Sequence, residues 1–220
     1  MSTAWNLKEL REHVRTQRAA DRLTLELIDS VSRSDSIFVY HMITARDALK
    51  GILNYEEPQG AENMMLILGD SDRQEDLHYA KVVSEANLIG CIHTARNMLE
   101  IFAQLVNRMS LRSSIEVAKC TPKTVASKLP NSELKTKFEE LLSSHWFMYT
   151  SAFTNTVKHR KLVQHQASIS FVDNVVGIKI EAFEYGGASY QAYWANEFLQ
   201  GVINLKNGII DLGRSLSRSL

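Results

Sequence analysis

Proline and glycine are scarce in this chain, at three and ten among 220 residues. Proline removes a backbone donor and clashes with the preceding turn, and glycine adds backbone freedom, so their scarcity points to long helices. Cysteine is scarcer still, with only Cys91 and Cys120. These two form no Cys-x2-Cys pair and no disulfide framework, and both are expected as reduced thiols. Neither sign of charge dominates, since Lys+Arg and Asp+Glu each number 25. There is therefore no global field to attract nucleic acid or an anionic membrane, and any such binding needs a local patch. No apolar run approaches the roughly 18 residues of a membrane span. The opening residues show no basic region followed by an apolar one, so no signal peptide is expected. A cytoplasmic protein without a membrane partner follows as the expectation. His-x3-His spacing, a phosphate loop, a dinucleotide fingerprint and a nucleophile elbow are all missing, so neither a metal nor a cofactor is expected.

What is present reads as one helical domain over residues 1–220, with enough chain to bury a sizeable core. Residues 4–31 carry Leu7, Leu10, Val14, Leu23, Leu27 and Val31 at helical spacing, with a break near Arg18–Asp21. Ser34 or Asp35 is placed to cap a second helix striped by Phe38, Met42, Ala45, Leu49 and Ile52. Residues 56–75 have loop composition, interrupted by the apolar run Met64–Leu68, readable as a loop plug or a strand. A helix over 76–110 carries two apolar stripes and a polar track of His93, Asn97, Glu100, Gln104 and Asn107. That track is either its solvent edge or the lining of a site. After Pro122 and Pro130, Asn131 or Ser132 caps a helix whose pattern runs from Phe138 through Val157 and fades after Arg160. The period then changes to two, with Asp173–Asn174 as a turn and Gly186–Gly187 as the end of a hairpin. The last helix, 189–217, is striped by Trp194, Phe198, Val202, Leu205, Ile209, Leu212 and Leu216. The fold class is mainly α, a bundle of about five to six helices with a β-hairpin at about 167–183 before the C-terminal helix.

Chemistry concentrates between Asn155 and His165, which hold an amide, three fixed positive charges and two histidines. On a helix Asn155 and His159 stand four apart on one face, with Lys158 beside them. Arg160 falls in line with the apolar stripe, so it must leave at the bundle end or find an acidic partner. Arg160 and His165 are separated by four residues.

An Arg-x4-His spacing near the end of a helical bundle resembles the HEPN superfamily of bacterial and archaeal defence, toxin and nucleotide-binding proteins. The resemblance implies a metal-independent endoribonuclease acting on RNA as a homodimer, with two Arg/His pairs meeting across the interface; a cognate protein partner is a further expectation. In that setting Arg160 would neutralise the scissile phosphate, because guanidinium pairs bidentately with phosphate oxygens. His165 would move protons at the ribose hydroxyl or the leaving oxygen. Asn155, Lys158 and His159 would support RNA binding. Apart from the resemblance, Arg96 and Glu100 on the central helix are placed to pair with Arg160 and Asn155. The resulting polar network would either support the chemistry or only specify the fold.

The same stretch also suits a bland role. Positive charge near a helix C-terminus is favoured by the dipole and by unpaired carbonyls. On that reading the chain is a non-catalytic interaction or regulatory module, acting through dimer or heteromer contacts on apolar stripes that its core leaves spare.

Overall fold

The structure, a computed structural model, describes residues 5–17 and 21–220. Among them are α1 (Leu7–Gln17), α2 (Arg22–Asp47), α3 (Ala61–Leu68), α4 (Gln74–Met109), α5 (Pro122–Lys128), α6 (Glu133–Ser143), α7 (His145–His159) and α8 (Ala195–Arg218). Five short strands lie between α7 and α8: β1 (His165–Ser170), β2 (Val175–Ile180), β3 (Phe183–Tyr185), β4 (Ala188–Tyr190) and β5 (Tyr193–Trp194). The fold is mainly α with a hairpin before the last helix, as the periodicity indicates. No helix among the described residues is long and apolar enough to cross a membrane.

Several boundaries differ from expectation, each for a local reason. Ser34 and Asp35 start no helix, because α2 runs unbroken from Arg22 to Asp47. Ser34 is buried, and the Asp35 carboxylate meets Lys206 Nζ at 3.0 Å, so neither side chain turns back on the main chain. The cap lies earlier: the Thr24 main-chain N–H donates to Asp21 Oδ1 at 3.3 Å. Residues 18–20 of the expected break lie outside the described residues. The run Met64–Leu68 belongs to helix α3, closed by Gly69 in the left-handed region at φ 98°.

The pattern read as one helix from Ser132 to Arg160 is two. Ser132 caps α6 by accepting from the Lys135 main chain, and Ser144 then ends α6 and caps α7 by accepting from the Phe147 N–H at 3.3 Å. The β region holds two hairpins. β1 and β2 pair antiparallel from His165↔Ile180 to Ser170↔Val175, and β5 pairs with the far edge of β2. Gly186 and Gly187, at φ 61° and 82°, turn the second hairpin, β3 to β4, instead of ending the first.

The chain divides into two compact units. One comprises Met1–Phe38, His93–Met148 and Val202–Leu220, the other Val39–Ile92 and Tyr149–Gly201. The first is centred on Phe102, with Trp5 edge-on at 5.7 Å and Phe138 at 5.9 Å. Trp5 also donates its indole N–H to Ser217 Oγ at 2.9 Å, and it rests on Gly213, where any side chain would collide with the ring. The second unit has two clusters. Tyr149 and Phe153 gather Phe183 and Phe198 at edge-on angles, while Leu49, Leu53, Leu66, Leu77, Val176 and Ile178 pack the other. Such interdigitated aromatic pairs add to the burial of apolar area that stabilises the fold.

Candidate functional site

The end of α7 presents the basic residues to solvent. Lys158, His159, Arg160 and Lys161 are all exposed, and Asn155 is half-buried one turn earlier. The backbone closes there because the N–H groups of Arg160 and Lys161 both donate to the Thr156 carbonyl, at 2.9 and 3.1 Å. Arg160 resolves its position on the apolar stripe by leaving the helix end and laying its guanidinium over the Tyr185 ring, 4.8 Å from the centroid. Lys158, Arg160 and Lys161 make no ion pair among the described residues.

His165 is turned inward. It opens β1, and its side chain is only 1% exposed. Nδ1 lies 3.1 Å from the Val163 carbonyl and 3.6 Å from Glu85 Oε1, and Nε2 has no hydrogen-bond partner among the described residues. Burial pushes the imidazole below its ordinary value of 6.5, against the opposing pull of the Val163 carbonyl and Glu85. The phenyl ring of Phe153 covers it at 6.4 Å. The fold therefore gives Arg160 to solvent and His165 to the interior. An imidazole so enclosed would have to move to reach a substrate proton.

Arg96 and Glu100 lie in the first unit and partner each other at 3.9 Å along α4, with the Arg96 guanidinium 5.3 Å from the centre of the Phe147 ring. Burial depresses the arginine and raises the carboxyl, and their mutual attraction offsets part of each shift. Two further residues of the polar track have a structural task. Gln104 donates to the carbonyls of Val117 and Cys120, and buried Asn107 both donates to and accepts from Ile115. These side chains clip the segment after α4 onto the helix. Both cysteines are buried and neither forms a disulfide among the described residues, and burial pushes the Cys120 thiol up. Among the described residues no group of three His, Cys, Asp or Glu is placed to hold a metal.

The second unit contains a recess of about 200 Å³ lined by Leu49, Tyr55, Gly177, Ile178 and Trp194. That is below the roughly 300 Å³ at which ordinary ligand sites begin. Its edge is closed by Glu197, which accepts from the Trp194 N–H at 3.0 Å and so caps α8.

A larger anomaly lies on α2. Phe38 and Ala45 are buried, as their stripe requires, yet Ile37, Val39, Tyr40 and Ile43 are 46, 36, 65 and 43% exposed. Solvated helix faces are normally polar, and clustered apolar exposure marks an interaction surface. The signal was present in the sequence as apolar residues in excess of one stripe. The chain matches no family model, no curated protein and no solved structure.

Proposed function

We propose that this chain is a non-catalytic helical interaction module that works through the outward face of α2. One observation carries the reading: four exposed apolar side chains between Ile37 and Ile43 on a well-formed helix. Leaving them in water forgoes burial worth about 25 cal/mol per Å², which a partner would recover. The inward turn of His165 supports the same reading, because a HEPN-like ribonuclease needs that imidazole beside Arg160 at the substrate.

The test is incubation with mixed single-stranded RNA in EDTA, wild type beside Arg160→Ala and His165→Ala. The module leaves the RNA intact in all three samples. Cleavage by wild type that disappears in a folded Arg160→Ala protein would overturn this reading in favour of the ribonuclease.

A second reading is favoured by the unpaired cations at the end of α7. Lys158, Arg160 and Lys161, with Tyr185 beneath the guanidinium, would suit the phosphates and bases of single-stranded RNA. Binding of this kind weakens steeply with salt and is reduced by Arg160→Ala. Salt-independent binding, or none, would remove it.

A further inference from the structure

The outward face of α2 is self-complementary. At 3.6 residues per turn, Arg33, Ser36, Ile37, Tyr40, Ile43, Thr44 and Asp47 all fall within about 60° of Tyr40 around the helix. Read from either end the stripe has the same order of chemistry, with a hydroxyl and an isoleucine on each side of the tyrosine. Only the ends differ, a cation at Arg33 and an anion at Asp47.

From this pattern we infer that α2 pairs antiparallel with α2 of a second copy of this chain, the two-fold axis passing at Tyr40; the inference rests on the reading of the chain as an interaction module. An isologous contact requires one patch that complements itself on inversion of direction, and this stripe does so. In the antiparallel arrangement Arg33 of each copy stands opposite Asp47 of the other, while Ile37 and Ile43 pack beside the paired tyrosines. The parallel arrangement sets arginine against arginine and aspartate against aspartate, so like charges exclude it.

The Arg33 charge is available, and the Asp47 charge, already paired within its own chain, keeps an exposed edge. Arg33 is exposed and makes no ion pair among the described residues. Asp47 accepts from Arg46 Nε at 2.8 Å, and Lys50 Nζ lies at 2.9 Å, contacts that hold it ionised and leave a third of the side chain exposed. Tyr40 stands 65% exposed at the centre, the kind of aromatic anchor on which small interfaces depend. The contact runs about 20 Å along the helix, less than a standard specific interface, so the dimer dissociates on dilution.

Disulfide trapping tests the geometry. In Tyr40→Cys the new thiols meet on the axis and form a covalent dimer under mild oxidation, while buried Cys91 and Cys120 in the wild type do not. Arg33→Asp and Asp47→Arg each shift the light-scattering mass towards monomer at least tenfold in concentration, and the double variant restores the dimer. Circular dichroism checks that every variant is folded. A wild type that stays monomeric up to about 0.5 mM overturns the inference and leaves the RNA-cleavage test of the module standing. A dimer indifferent to both charge reversals, with no Tyr40→Cys crosslink, also overturns it and places the contact on another face.

Discussion

Helices α2 and α8 are both long and amphipathic, yet they treat their apolar residues differently. In α8, Phe198, Val202, Leu205, Ile209, Leu212 and Leu216 recur at helical spacing and every one is buried, with at most 2% of its surface exposed. In α2 the buried stripe is matched by a second apolar group, from Ile37 to Ile43, that faces out. A helix whose apolar residues are all accounted for by its own core is structural. A helix with a surplus is structural on one side and available on the other. That contrast, more than any titratable group, is what the proposed interaction module rests on.

The sharpest way to break the comparison is to truncate the buried side. Phe198→Ala removes a fully buried ring that touches Tyr149 and Phe153, and it should lower the unfolding free energy by about 4 kcal/mol in urea titration. A loss below about 1 kcal/mol would mean that the α8 stripe is not core.

The next effect is electrostatic. Arg108 binds both oxygens of Asp21, at 2.8 and 2.7 Å, and donates Nε to Thr24 Oγ1 at 3.0 Å. Burial pushes the Asp21 carboxyl up, but the hydrogen bonds from Thr24 and Arg108 outweigh it and hold it below its ordinary 3.8. A depressed carboxyl stabilises above its unfolded value and loses that contribution as pH falls through the folded one. Arg108→Met should therefore cost about 2 kcal/mol at neutral pH, shrinking below pH 3.8 as Asp21 protonates. A deficit that persists unchanged at pH 2.5 would contradict the ion pair.

A smaller effect attends His165. Its folded value lies below the unfolded 6.5, so the unfolded chain takes up the proton first and stability falls as pH drops below 6.5. His165→Phe keeps a ring against Phe153 and should flatten the profile between pH 7 and 5. An unchanged slope would show that the imidazole titrates freely.

The helical skeleton was legible in the sequence because apolar spacing reports burial directly, as at α8 and α4. Boundaries were less legible where caps compete. Ser34 and Asp35 are good capping residues inside an uninterrupted helix, and Asp21, immediately before its first residue, caps instead. Ser144 was missed because apolar periodicity continues across it. The candidate site was legible in composition only. Arg160 and His165 lie five positions apart, but one ends a helix in solvent and the other begins a strand whose inward side faces Phe153. Spacing across such a junction carries no information about direction. The surplus on α2 was visible as residues, and its exposure needed the fold.

The smallest expected change in stability belongs to the outward face, and it carries the central claim. Tyr40→Ser should alter the unfolding free energy by less than about 0.5 kcal/mol, since the side chain is mostly in water. Sedimentation equilibrium of wild type beside Tyr40→Ser, from about 1 to 300 µM, separates folding from association. The account predicts a wild-type mass that rises from monomer to dimer across that range, and a folded Tyr40→Ser protein that remains monomeric throughout. Equal masses for the two proteins at every concentration would contradict it.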